Sequence, residues 1–503
     1  MAKINGKLEK QLWNAAIQLW SHGDLKPSEY TMPVLGLIFL KYTDTKFSSL
    51  GKNVSKTKTQ AKGALFLQKK ARYSYLMSLK EEEDINQAVN QAMKLIEKDN
   101  IDVRGILPKN YGQLPKDVLL NLLRNFNSIE GIMNGDVFGH VYEYFLGNFH
   151  KTTGEKGGEF FTPTSIVKLI VEIIEPYHGR ILDPACGSGG MFVQSAEFIQ
   201  RHKKEAMNEL VIYGQEKTSQ NVNISKMNLA VHALAGDIKQ GNTYYNDIHK
   251  SLGKFDFVMA NPPFNSKGID KKKINDDARF SLGLPKNDNG NYIWIQIFYS
   301  ALNNNGRAGF VMANSASDAS NTEKGIRQKL IEEGGVDVIV AIDSNFFHTV
   351  TLPCTLWFLD KGKRKTERKN KVLFLDARGY FNQIDRAHRE FKPEQIQFFG
   401  DIVRLYRREK PEFPNNKLLT KKFPKLKYKD IKGLCKLADL KDIQEQDYSL
   451  NPGRYVGIKP LPPMPKKEFR SKMESLNQEF IKLTQESHQL EKTIQKNIKQ
   501  ILK

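Results

Sequence analysis

Length and composition already limit what this protein can be. The chain has 503 residues, which is too long for one ordinary hydrophobic core, so we expect about two to four domains. Hydrophobic residues make up 40% and aromatic residues 10%, which excludes an intrinsically disordered chain. The formal net charge of +21 favours a polyanionic partner, above all nucleic acid, although a generally basic surface would give the same value.

Cysteine usage and hydropathy favour a cytoplasmic protein. Cys186, Cys354 and Cys435 lie far apart with no CxxC pair, which argues against a disulfide framework or a zinc site. The first residues lack the apolar core of a signal peptide. The strongest apolar run, Val34–Leu40, is too short to span a bilayer and is better interpreted as a core helix. We therefore expect no membrane association and no metal centre.

Residues 1–150 are predicted to form a helical domain. Near the N-terminus, apolar residues recur at helical spacing: Leu8, Trp13, Ile17 and Trp20. Two further runs, Val118–Leu123 and Val137–Leu146, are predicted to be buried helices. The polar, lysine-rich segment 51–62 is either a loop or an arm that faces phosphates. The Gly/Lys-rich segment 151–158 marks the domain boundary.

From about residue 165 the chain alternates between helices and strands. The predicted helices are Ile166–Ile174, which is amphipathic, and one that begins at Met191. The predicted strands are Arg180–Asp183, Leu210–Glu216, Phe255–Met259, Arg307–Met312 and Val336–Ile342. This alternation predicts a doubly wound, mainly parallel, Rossmann-like α/β domain over 151–460, with ligands at the carboxyl ends of the strands. Within it, residues 360–460 show no clear pattern.

The last segment, 461–503, is predicted to be a C-terminal helix for subunit assembly. It follows the helix-breaking run Leu461–Pro465. Its apolar residues keep a 4-3 spacing that is interrupted at Ser487 and Asn497, and they form a heptad seam: Phe469, Met473, Leu476, Phe480, Leu483, Leu490, Ile494 and Ile501. Such a seam fits a helix folded onto its own domain, but a helical bundle between domains or subunits is favoured.

A glycine-rich loop follows the first predicted strand. In Asp183–Gly190, the glycines Gly187, Gly189 and Gly190 let the backbone approach a ligand without a Cβ atom in the way. The loop lacks the G-x-G-x-x-G pattern, which argues against a dinucleotide. Glu216, at the end of the second strand, is well placed to accept hydrogen bonds from the ribose hydroxyls of an adenosine-containing cofactor. The alternative is a tight turn with an unrelated surface glutamate.

The segment before the first helix of the sheet domain, 158–164, has two interpretations. Thr162 or Thr164 could cap that helix, with Pro163 near its start. A helix N-terminus that carries hydroxyls is also a good site for a carboxylate, such as that of a methionine moiety. The two roles are compatible, so the segment belongs to the candidate cofactor site.

The motif Asn261–Phe264 follows the third predicted strand and indicates chemistry at a planar amine. The lone pair of an exocyclic amine is delocalised into the base, so the nitrogen is a poor nucleophile. The side-chain oxygen of Asn261 and the carbonyl of Pro262 can accept the two amine hydrogens, which favours a pyramidal nitrogen whose lone pair points at a sulfonium methyl. Pro262 and Pro263 stiffen the loop, and Phe264 offers a stacking face for a base taken out of the duplex. The alternative is a bare turn.

In this order, the motifs resemble the DNA-methyltransferase (modification) subunit of type I restriction–modification systems. Four segments carry the resemblance, which covers nearly the whole chain: Asp136–Leu146, Gly158–Pro163, Asp183–Gly190 and Asn261–Phe264. The Thr-Pro segment precedes the glycine loop, as in amino-methyltransferases of the gamma class. The resemblance implies an S-adenosylmethionine-dependent methyltransferase domain that acts on N6 of adenine in DNA.

The resemblance also implies roles for single residues. The methionine end of the cofactor would be lined by Glu159, Phe160, Phe161, Thr162, Pro163 and Thr164. The glycine loop, a ribose-binding acid and a polar residue near the cofactor adenine would complete this site: Asp183, Gly187, Ser188, Gly189, Gly190, Glu216 and Asn242. Phe346 or Phe347 would pack on the other face of the flipped base, and the choice between them stays open.

The same resemblance implies partners. Two such subunits assemble with one specificity subunit that reads a bipartite sequence in double-stranded DNA, and two nuclease/translocase subunits complete the restriction enzyme. The helix at 461–503 is then expected to dock on the helical spacers of the specificity subunit. Three other functions fit parts of the sequence: N4-cytosine methylation, methylation of a glutamine amide in proteins, and non-catalytic DNA binding. The charge of +21 argues against the second, and the intact Asn261–Phe264 motif against the third.

Overall fold

The chain divides into two compact units, Met1–Val456 and Gly457–Lys503. This division comes from a computed structural model that describes residues 12–14, 27–51, 54–61, 64–80, 82–127, 136–153, 162–347, 352–385, 388–458 and 465–502. The larger unit contains the helical N-terminal region and the sheet, and the smaller unit contains the C-terminal helix.

The helices of the larger unit fall into three groups along the chain. The N-terminal group comprises α1 Pro27–Ser49, α2 Lys56–Ala61, α3 Tyr73–Met77, α4 Ile85–Asp99, α5 Lys116–Asn127 and α6 Asp136–Thr153. The second group comprises α7 Thr164–Ile174, α8 Gly190–Arg201, α9 Ala206–Glu209, α10 Ser219–Val231, α11 Asn291–Ala301, α12 Asn314–Ser317 and α13 Asn321–Glu332. The third group comprises α14 Pro393–Arg407, α15 Lys417–Lys422 and α16 Leu440–Glu445. Short 3-10 helices occupy Lys69–Ala71, Ile101–Val103, Tyr111–Gln113, Lys271–Ile274, Ala278–Phe280, Gly362–Lys365 and Pro452–Arg454.

Nine of the strands form one sheet in the order β11-β8-β6-β7-β5-β4-β1-β2-β3, and β9 pairs with β10 in a separate ribbon. Their bounds are β1 Gly179–Asp183, β2 Leu210–Glu216, β3 Gly236–Gln240, β4 Phe255–Ala260, β5 Leu302–Ala313, β6 Val336–Ile342, β7 Cys354–Asp360, β8 Lys371–Asp376, β9 Asn382–Gln383, β10 Arg389–Glu390 and β11 Cys435–Asp439. Neighbours in the sheet run parallel except where β7 or β11 takes part. The predicted mainly parallel α/β sheet is therefore confirmed.

Helices cover both faces of the sheet. Successive strand residues belong to different apolar clusters, as Ile181 and Leu182 do in β1, because side chains of a strand alternate between the two faces. One cluster includes residues of α7, α8 and α14, and the other includes residues of α11 and α13. The carboxyl ends of the parallel strands are left at one edge, where the loops that follow them meet.

One predicted strand begins earlier than expected. β5 starts at Leu302, whereas the apolar pattern indicated Arg307. The added residues include the polar run 303–305, which carries no hydrophobic alternation. The pairing of β4 with β5 also has an irregular register between Phe255 and Phe257. The irregular start of β5 could therefore not be predicted from the hydrophobic pattern of the sequence.

The predicted core helix at Val34–Leu40 is confirmed as the centre of α1, where its apolar side chains are fully buried. The segment 51–62 was predicted to be a loop or an arm. In its described part, residues 56–61 instead form the short helix α2. Of the four apolar residues near the N-terminus, only Trp13 lies in the described part of the chain, where it packs on Phe149 with ring centroids 5.0 Å apart.

Helix α10 belongs to two hydrophobic cores. Its residues Ile224, Met227 and Val231 pack with the N-terminal helices, among them α1 and α6. Val222 and Leu229 of the same helix pack with the sheet domain. An α-helix places residues three or four positions apart on one face, so the two sets lie on different faces. Helix α10 thus joins the helical region and the sheet into one packed body.

Helix α7 has an apolar face, as the amphipathic prediction expected, but its charged residue Glu172 is also buried. Ile166, Leu169 and Ile173 lie in the apolar core, and Glu172 is only 2% exposed. The reason is that α14 covers the outer face of α7, while α8 and the sheet cover the rest. Helix α14 comes from the region 360–460, which showed no clear sequence pattern.

A buried group of ion pairs holds α14 against α7. Nη2 of Arg404 lies 2.7 Å from Oε1 of Glu172, and Nε of Arg404 lies 2.7 Å from Oε1 of Glu175. Asp401, one turn earlier in α14, lies 2.9 Å from the same guanidinium. A planar guanidinium has five N–H donors, so it can satisfy several carboxylates at once. The end of α7 is therefore fixed by charge as well as by apolar packing.

A further buried carboxylate, Asp337 on β6, joins α14 to the sheet. Its Oδ2 lies 3.1 Å from Nη2 of Arg407, and its Oδ1 lies 2.7 Å from Nη1 of Arg368. Burial alone would raise the pKa of the Asp337 carboxyl, but Arg407 and Lys363 outweigh that effect and hold the pKa below its usual range. Asp337 is therefore ionised and anchors two arginines from the segment after β7.

The smaller unit contains one long helix, α17, at Lys466–Ile501. The predicted seam lies on this helix with its apolar side chains exposed, from 51% at Met473 to 67% at Phe480. The other described members of the seam are exposed in the same way: Phe469, Leu476, Leu483, Leu490 and Ile494. Among the residues that the structure describes, no helix is both long enough and apolar enough to cross a membrane.

Replacing Arg404 with Met should lower the free energy of unfolding by about 3–5 kcal/mol, because Glu172 and Glu175 would stay buried without their shared partner. Urea denaturation followed by circular dichroism measures this loss. Arg408→Met is the matched control, since it removes an exposed pair with Glu367 and should cost at most about 1 kcal/mol. Equal losses in the two variants would contradict a structural role for the buried group.

Candidate active site

A cavity of about 470 Å³ opens at the carboxyl edge of the sheet, beside the ends of β1, β2 and β4. Its wall contains ten of the predicted site residues: Thr162, Thr164, Asp183, Gly187, Ser188, Gly190, Glu216, Asn242, Asn261 and Pro263. Six other predicted residues are described but are not part of this wall: Pro163, Gly189, Pro262, Phe264, Phe346 and Phe347. The predicted residues Glu159, Phe160 and Phe161 lie outside the described residues. Residues more than a hundred positions apart in the sequence thus share one space.

The glycine loop brings backbone to the cavity. Gly187 has a φ of +50° and Gly189 a φ of +81°, a region that L side chains rarely adopt. A Cβ on Gly189 would lie 2.7 Å from Oγ of Ser225, so this position also needs glycine for space. A Cβ on Gly187 or Gly190 would have no neighbour within 4 Å, so these positions leave open space beside the wall. The loop therefore presents bare backbone where a ligand can approach closely.

Glu216 is held in place by two backbone amides. Its Oε2 accepts a hydrogen bond from the amide of Gly187 at 3.0 Å, and its Oε1 accepts one from Thr218 at 3.1 Å. The residue is only 9% exposed and lies in the cavity wall, which excludes the alternative of an unrelated surface glutamate. An ionised carboxylate offers about four acceptor sites, so it keeps capacity for a ligand hydroxyl.

Asp183 ends β1 and contributes a buried carboxyl to the cavity. Burial raises its pKa to about 8, and the nearby charge of Glu216 adds to the rise, while a hydrogen bond from the amide of Ala185 opposes it. Among the residues that the structure describes, no cation compensates this carboxyl. A positively charged ligand in the cavity would favour the ionised form of Asp183.

The two threonines at the start of α7 do not cap the helix, contrary to one of the two interpretations. The helix begins at Thr164 with Pro163 at the N-cap position, and no side chain makes a capping hydrogen bond there. The carbonyl of Pro163 instead accepts hydrogen bonds from the amides of Ile166 and Val167. Thr162 and Thr164 line the cavity. The two residues therefore belong to the cavity wall, and neither supplies the N-cap of the helix.

The turn after β3 forms another part of the wall, at Asn242. Oδ1 of Asn242 accepts a hydrogen bond from the amide of Tyr244 at 3.1 Å. Nε1 of Trp294 donates to the hydroxyl of Tyr244 at 2.7 Å, and the two rings lie 4.9 Å apart. The buried Arg279 donates to the carbonyls of Thr243 and Tyr244 at 2.8 and 3.1 Å. These contacts give the turn at Asn242 a defined shape.

The tip after β4 is braced by α11. The side chain of Asn291 accepts a hydrogen bond from the amide of Asn265 at 2.9 Å and donates one to Oδ1 of Asn265 at 2.9 Å. The hydroxyl of Ser266 donates to the carbonyl of Pro263 at 3.0 Å. Asn261 and Pro263 lie in the cavity wall. Both residues therefore border the cavity that the glycine loop also borders.

The two candidate aromatic residues after β6 have different surroundings. Phe346 packs on Phe391 in the hydrophobic core, with ring centroids 4.5 Å apart. Phe347 contacts the ring of Phe264 edge to face, with centroids 6.5 Å apart. Only Phe347 is therefore next to the predicted stacking residue of the tip.

Two parts of the chain match known protein families. Residues 133–461 match the family described as N-6 DNA Methylase, and residues 8–126 match the HsdM N-terminal domain. The chain belongs to the N-6 DNA methylase family. The resemblance to type I modification subunits that the sequence motifs indicated is confirmed.

Individual relatives agree with this assignment. The chain is 33% identical to the type I restriction enzyme MjaIX methylase subunit of Methanocaldococcus jannaschii, over 99% of this chain and 92% of the relative. It is 35% identical to the type I restriction enzyme HindI methylase subunit of Haemophilus influenzae, over 82% of this chain and 91% of the relative. The solved type I restriction-modification system methyltransferase subunit from Streptococcus thermophilus shares its fold, with a TM-score of 0.73, 21% identity, and coverage of 90% of this chain and 99% of that one.

Several residues of the cavity wall were not among the site residues predicted from the sequence. Glu143 and Leu146 come from α6, Gln194 from α8, and Tyr244 and Trp294 from segments outside the recognised motifs. Glu143 lies in one of the four segments that carry the family resemblance, but that segment was predicted only to be a buried helix. The family motif Asp136–Leu146, to which no role was assigned, was therefore the only signal in the sequence that pointed to Glu143.

Proposed function

We propose that this methylase transfers a methyl group from S-adenosylmethionine to N6 of adenine in DNA, within a type I restriction–modification complex. One observation carries the proposal: Asn261 of the tip lies in the wall of the same cavity as the glycine loop and Glu216. Methyl donor and amine acceptor must meet in one space, since the reaction depends on positioning. A cavity of about 470 Å³ at the carboxyl edge of the sheet offers that space.

The wall residues fit an adenosine-bearing cation. Gly187 and Gly190 leave open space where a Cβ would stand, so a ligand can lie against the backbone. Glu216 is fixed by two amides and retains acceptor capacity for ribose hydroxyls. The carboxyl of Asp183, whose pKa is raised by burial, would be stabilised in its ionised form by a positive charge.

The proposed roles are those that the family resemblance implies for the residues of the cavity wall. Thr162 and Thr164 would hold the methionine end, Glu216 the ribose, and Asn242 would lie near the adenine of the cofactor. When bound, S-adenosylmethionine supplies a methyl group on a sulfonium, whose loss leaves a neutral thioether. The chain therefore needs no strong base to activate the acceptor. The roles that the family implies for Glu159, Phe160 and Phe161 fall outside the described residues.

The target adenine would be held by the tip after β4. The side-chain oxygen of Asn261 and the carbonyl of Pro262 would accept the two hydrogens of the exocyclic amine and favour a nitrogen lone pair directed into the cavity. Phe264 would stack on one face of the base, and Phe347 is the candidate for the other face because it contacts Phe264. The positioning of these groups, rather than a reactive side chain, would supply the rate enhancement.

Binding of the DNA backbone is supported by the lysines beside the tip. Lys267 lies in the cavity wall, and Lys272 and Lys273 are exposed on the 3-10 helix that follows in the chain. The ammonium of Lys271 donates to the carbonyl oxygens of Lys286 and Asn287 at 3.0 and 2.6 Å, which fixes the shape of this segment. The phosphates that flank a flipped-out nucleotide would bind to these lysines. Such contacts with the DNA backbone do not depend on the base sequence.

Assembly with a specificity subunit is supported by α17. The seam of this helix exposes apolar side chains at heptad spacing, which fits a coiled-coil or helical-bundle contact. The proposal assigns DNA sequence recognition to a specificity subunit shared by two methylase subunits. A nuclease/translocase subunit would complete the restriction complex.

Glu216→Ala should weaken binding of S-adenosylmethionine by roughly 1–3 kcal/mol, because the ribose would lose one or two hydrogen bonds. Isothermal titration calorimetry on the full chain measures this change. Glu205→Ala, at an exposed position on the same domain, is the control and should bind like the wild type. If Glu216→Ala also binds like the wild type, the ribose assignment is wrong.

Asn261→Ala should lower the rate of methyl transfer by about 10²–10³, because one preorganised acceptor for the amine is lost. Cofactor binding should remain close to normal. The assay uses labelled donor and DNA together with the specificity subunit, and mass spectrometry of the digested nucleosides should find N6-methyladenine.

Asn208→Ala is the control for Asn261→Ala, since Asn208 is exposed and its amide bonds only to Glu205 at 3.0 Å. Retained activity in Asn261→Ala would exclude the amine-orienting role. N4-methylcytosine in the DNA, or label in protein, would instead support one of the two alternative methyltransferase functions.

Deleting residues 466–503 should abolish co-purification with the specificity subunit and sequence-specific DNA binding, while S-adenosylmethionine binding persists. A double substitution tests the seam more finely: Leu476→Asp with Leu483→Asp should have the same effect, because both residues occupy one heptad position. The matched control is Gln478→Asp with Gln485→Asp, which adds the same charge outside the seam. Normal co-purification of the seam variant would refute docking through this helix.

A further inference from the structure

The cavity contains a carboxylate for which the proposed reaction has assigned no task. Glu143 belongs to α6, the last helix of the N-terminal region, and lies in the cavity wall with Leu146 of the same helix. We propose that Glu143 binds the cationic amino group at the methionine end of the cofactor. The inference rests on the proposed function and extends it, because it gives the helical region a direct contact with the cofactor.

Glu143 shares the cavity with the residues proposed to hold the methionine end of the cofactor. Thr162 and Thr164, the proposed partners of the methionine moiety, line the same cavity at the start of α7. Gln194 of α8, only 3% exposed, also lies in the wall and links to Glu143, since its Nε2 donates to Oε1 of Glu143 at 3.1 Å. Three helices, α6, α7 and α8, thus contribute polar residues to one cavity wall, and those of α6 and α8 are hydrogen-bonded to each other.

The hydrogen bonds of Gln194 indicate that the group formed by Gln194, Glu143 and Glu197 can accept a further hydrogen-bond donor. Its Nε2 lies within hydrogen-bond distance of two carboxylates, those of Glu143 at 3.1 Å and Glu197 at 3.4 Å. Both neighbours are acceptors, so the amide nitrogen must face them. The amide oxygen of Gln194 is buried and accepts no hydrogen bond from the residues that the structure describes. An ammonium beside Glu143 carries three donors and could satisfy this oxygen as well.

The electrostatics of Glu143 also favour a cationic ligand. Burial and, less strongly, the neighbouring Glu197 raise its pKa, while Lys168, the hydrogen bond from Gln194 and His140 lower it, and the net result is a pKa of about 7. The attraction of Lys168 does not compensate, because its ammonium lies against Glu197, 3.1 Å from Oε2. A ligand cation would supply the positive charge that the described part of the chain does not place at Glu143.

A metal ion is the rival occupant. His140, Glu143 and Glu197 offer ligand atoms that lie within 4.8 Å of one another. The ammonium of Lys168, already bound to Glu197, would be placed beside such an ion and would repel it. Only Glu143 of these three residues lines the cavity. An organic cation that enters through the cavity is therefore the better match.

The experiment compares two ligands on the full chain by calorimetry: S-adenosylmethionine and methylthioadenosine, which lacks the amino-acid end. Glu143→Gln should weaken the binding of S-adenosylmethionine about 10- to 100-fold, because one charge-assisted hydrogen bond is lost. Methylthioadenosine should bind the variant and the wild type within about twofold, which also shows that the variant is folded. Glu197→Gln is the matched control and should leave S-adenosylmethionine affinity unchanged or slightly improved, because it removes a negative charge that raises the pKa of Glu143.

The pH dependence gives a second readout. Cation binding needs ionised Glu143, so wild-type affinity should fall as the pH drops below about 7, by up to about tenfold per pH unit. His140 on the same helix, Lys168 on α7 and Glu197 on α8 face this carboxyl, and Asp183 belongs to the same wall. Because these groups are present in both proteins, the difference between the wild type and Glu143→Gln isolates Glu143.

The outcomes separate the two proposals. If the wild type binds S-adenosylmethionine and Glu143→Gln binds it equally well, the assignment of Glu143 is wrong and the proposed function stands. If the wild type binds methylthioadenosine and S-adenosylmethionine alike, no group in the cavity recognises the amino-acid end and the assignment is again overturned. If the wild type binds neither ligand, both proposals fall. Loss of affinity on adding a chelator to the wild type would show that a metal occupies the acids instead.

Discussion

The parallel direction of neighbouring strands is the constraint on which the site depends. β4, β1, β2 and β3 are adjacent and parallel, with Leu182 opposite Val258 and Asp183 opposite Gly214. The residues that follow each strand must therefore emerge at one edge. Asp183, Glu216 and Asn261 are far apart in sequence and meet there for this reason.

A second constraint comes from buried charge. The carboxylates near the end of α7 and on β6 are buried, so they must be paired, and the arginines of α14 pair with both sets. This places α14 over α7, and α7 in turn carries Thr164 into the cavity wall. The region without a clear sequence pattern therefore supports the site indirectly. Charged residues at intervals along a helix are usually interpreted as a solvated face, so the pattern of α7 did not predict that Glu172 is buried.

Much of the fold and part of the site could be predicted from the sequence because the signals were local. Strands β2 and β6 match their predicted bounds, since each is a short apolar run between breakers. The wall residues of the glycine loop and the tip lie within short motifs. What could not be predicted depends on long-range packing: the early start of β5, the surroundings that distinguish Phe346 from Phe347, and Glu143 on a helix from another region.

The double packing of α10 bears on how this protein can be divided. Ile224, Met227 and Val231 are buried only because the N-terminal helices cover them. A fragment that began at the sheet domain would turn these side chains toward water and would also lose the α6 wall of the cavity. The sheet domain is therefore not a portable module that can be fused or shuffled alone. The helical region is an integral part of the larger unit, because α6 forms part of the cavity wall and α10 is buried against both regions.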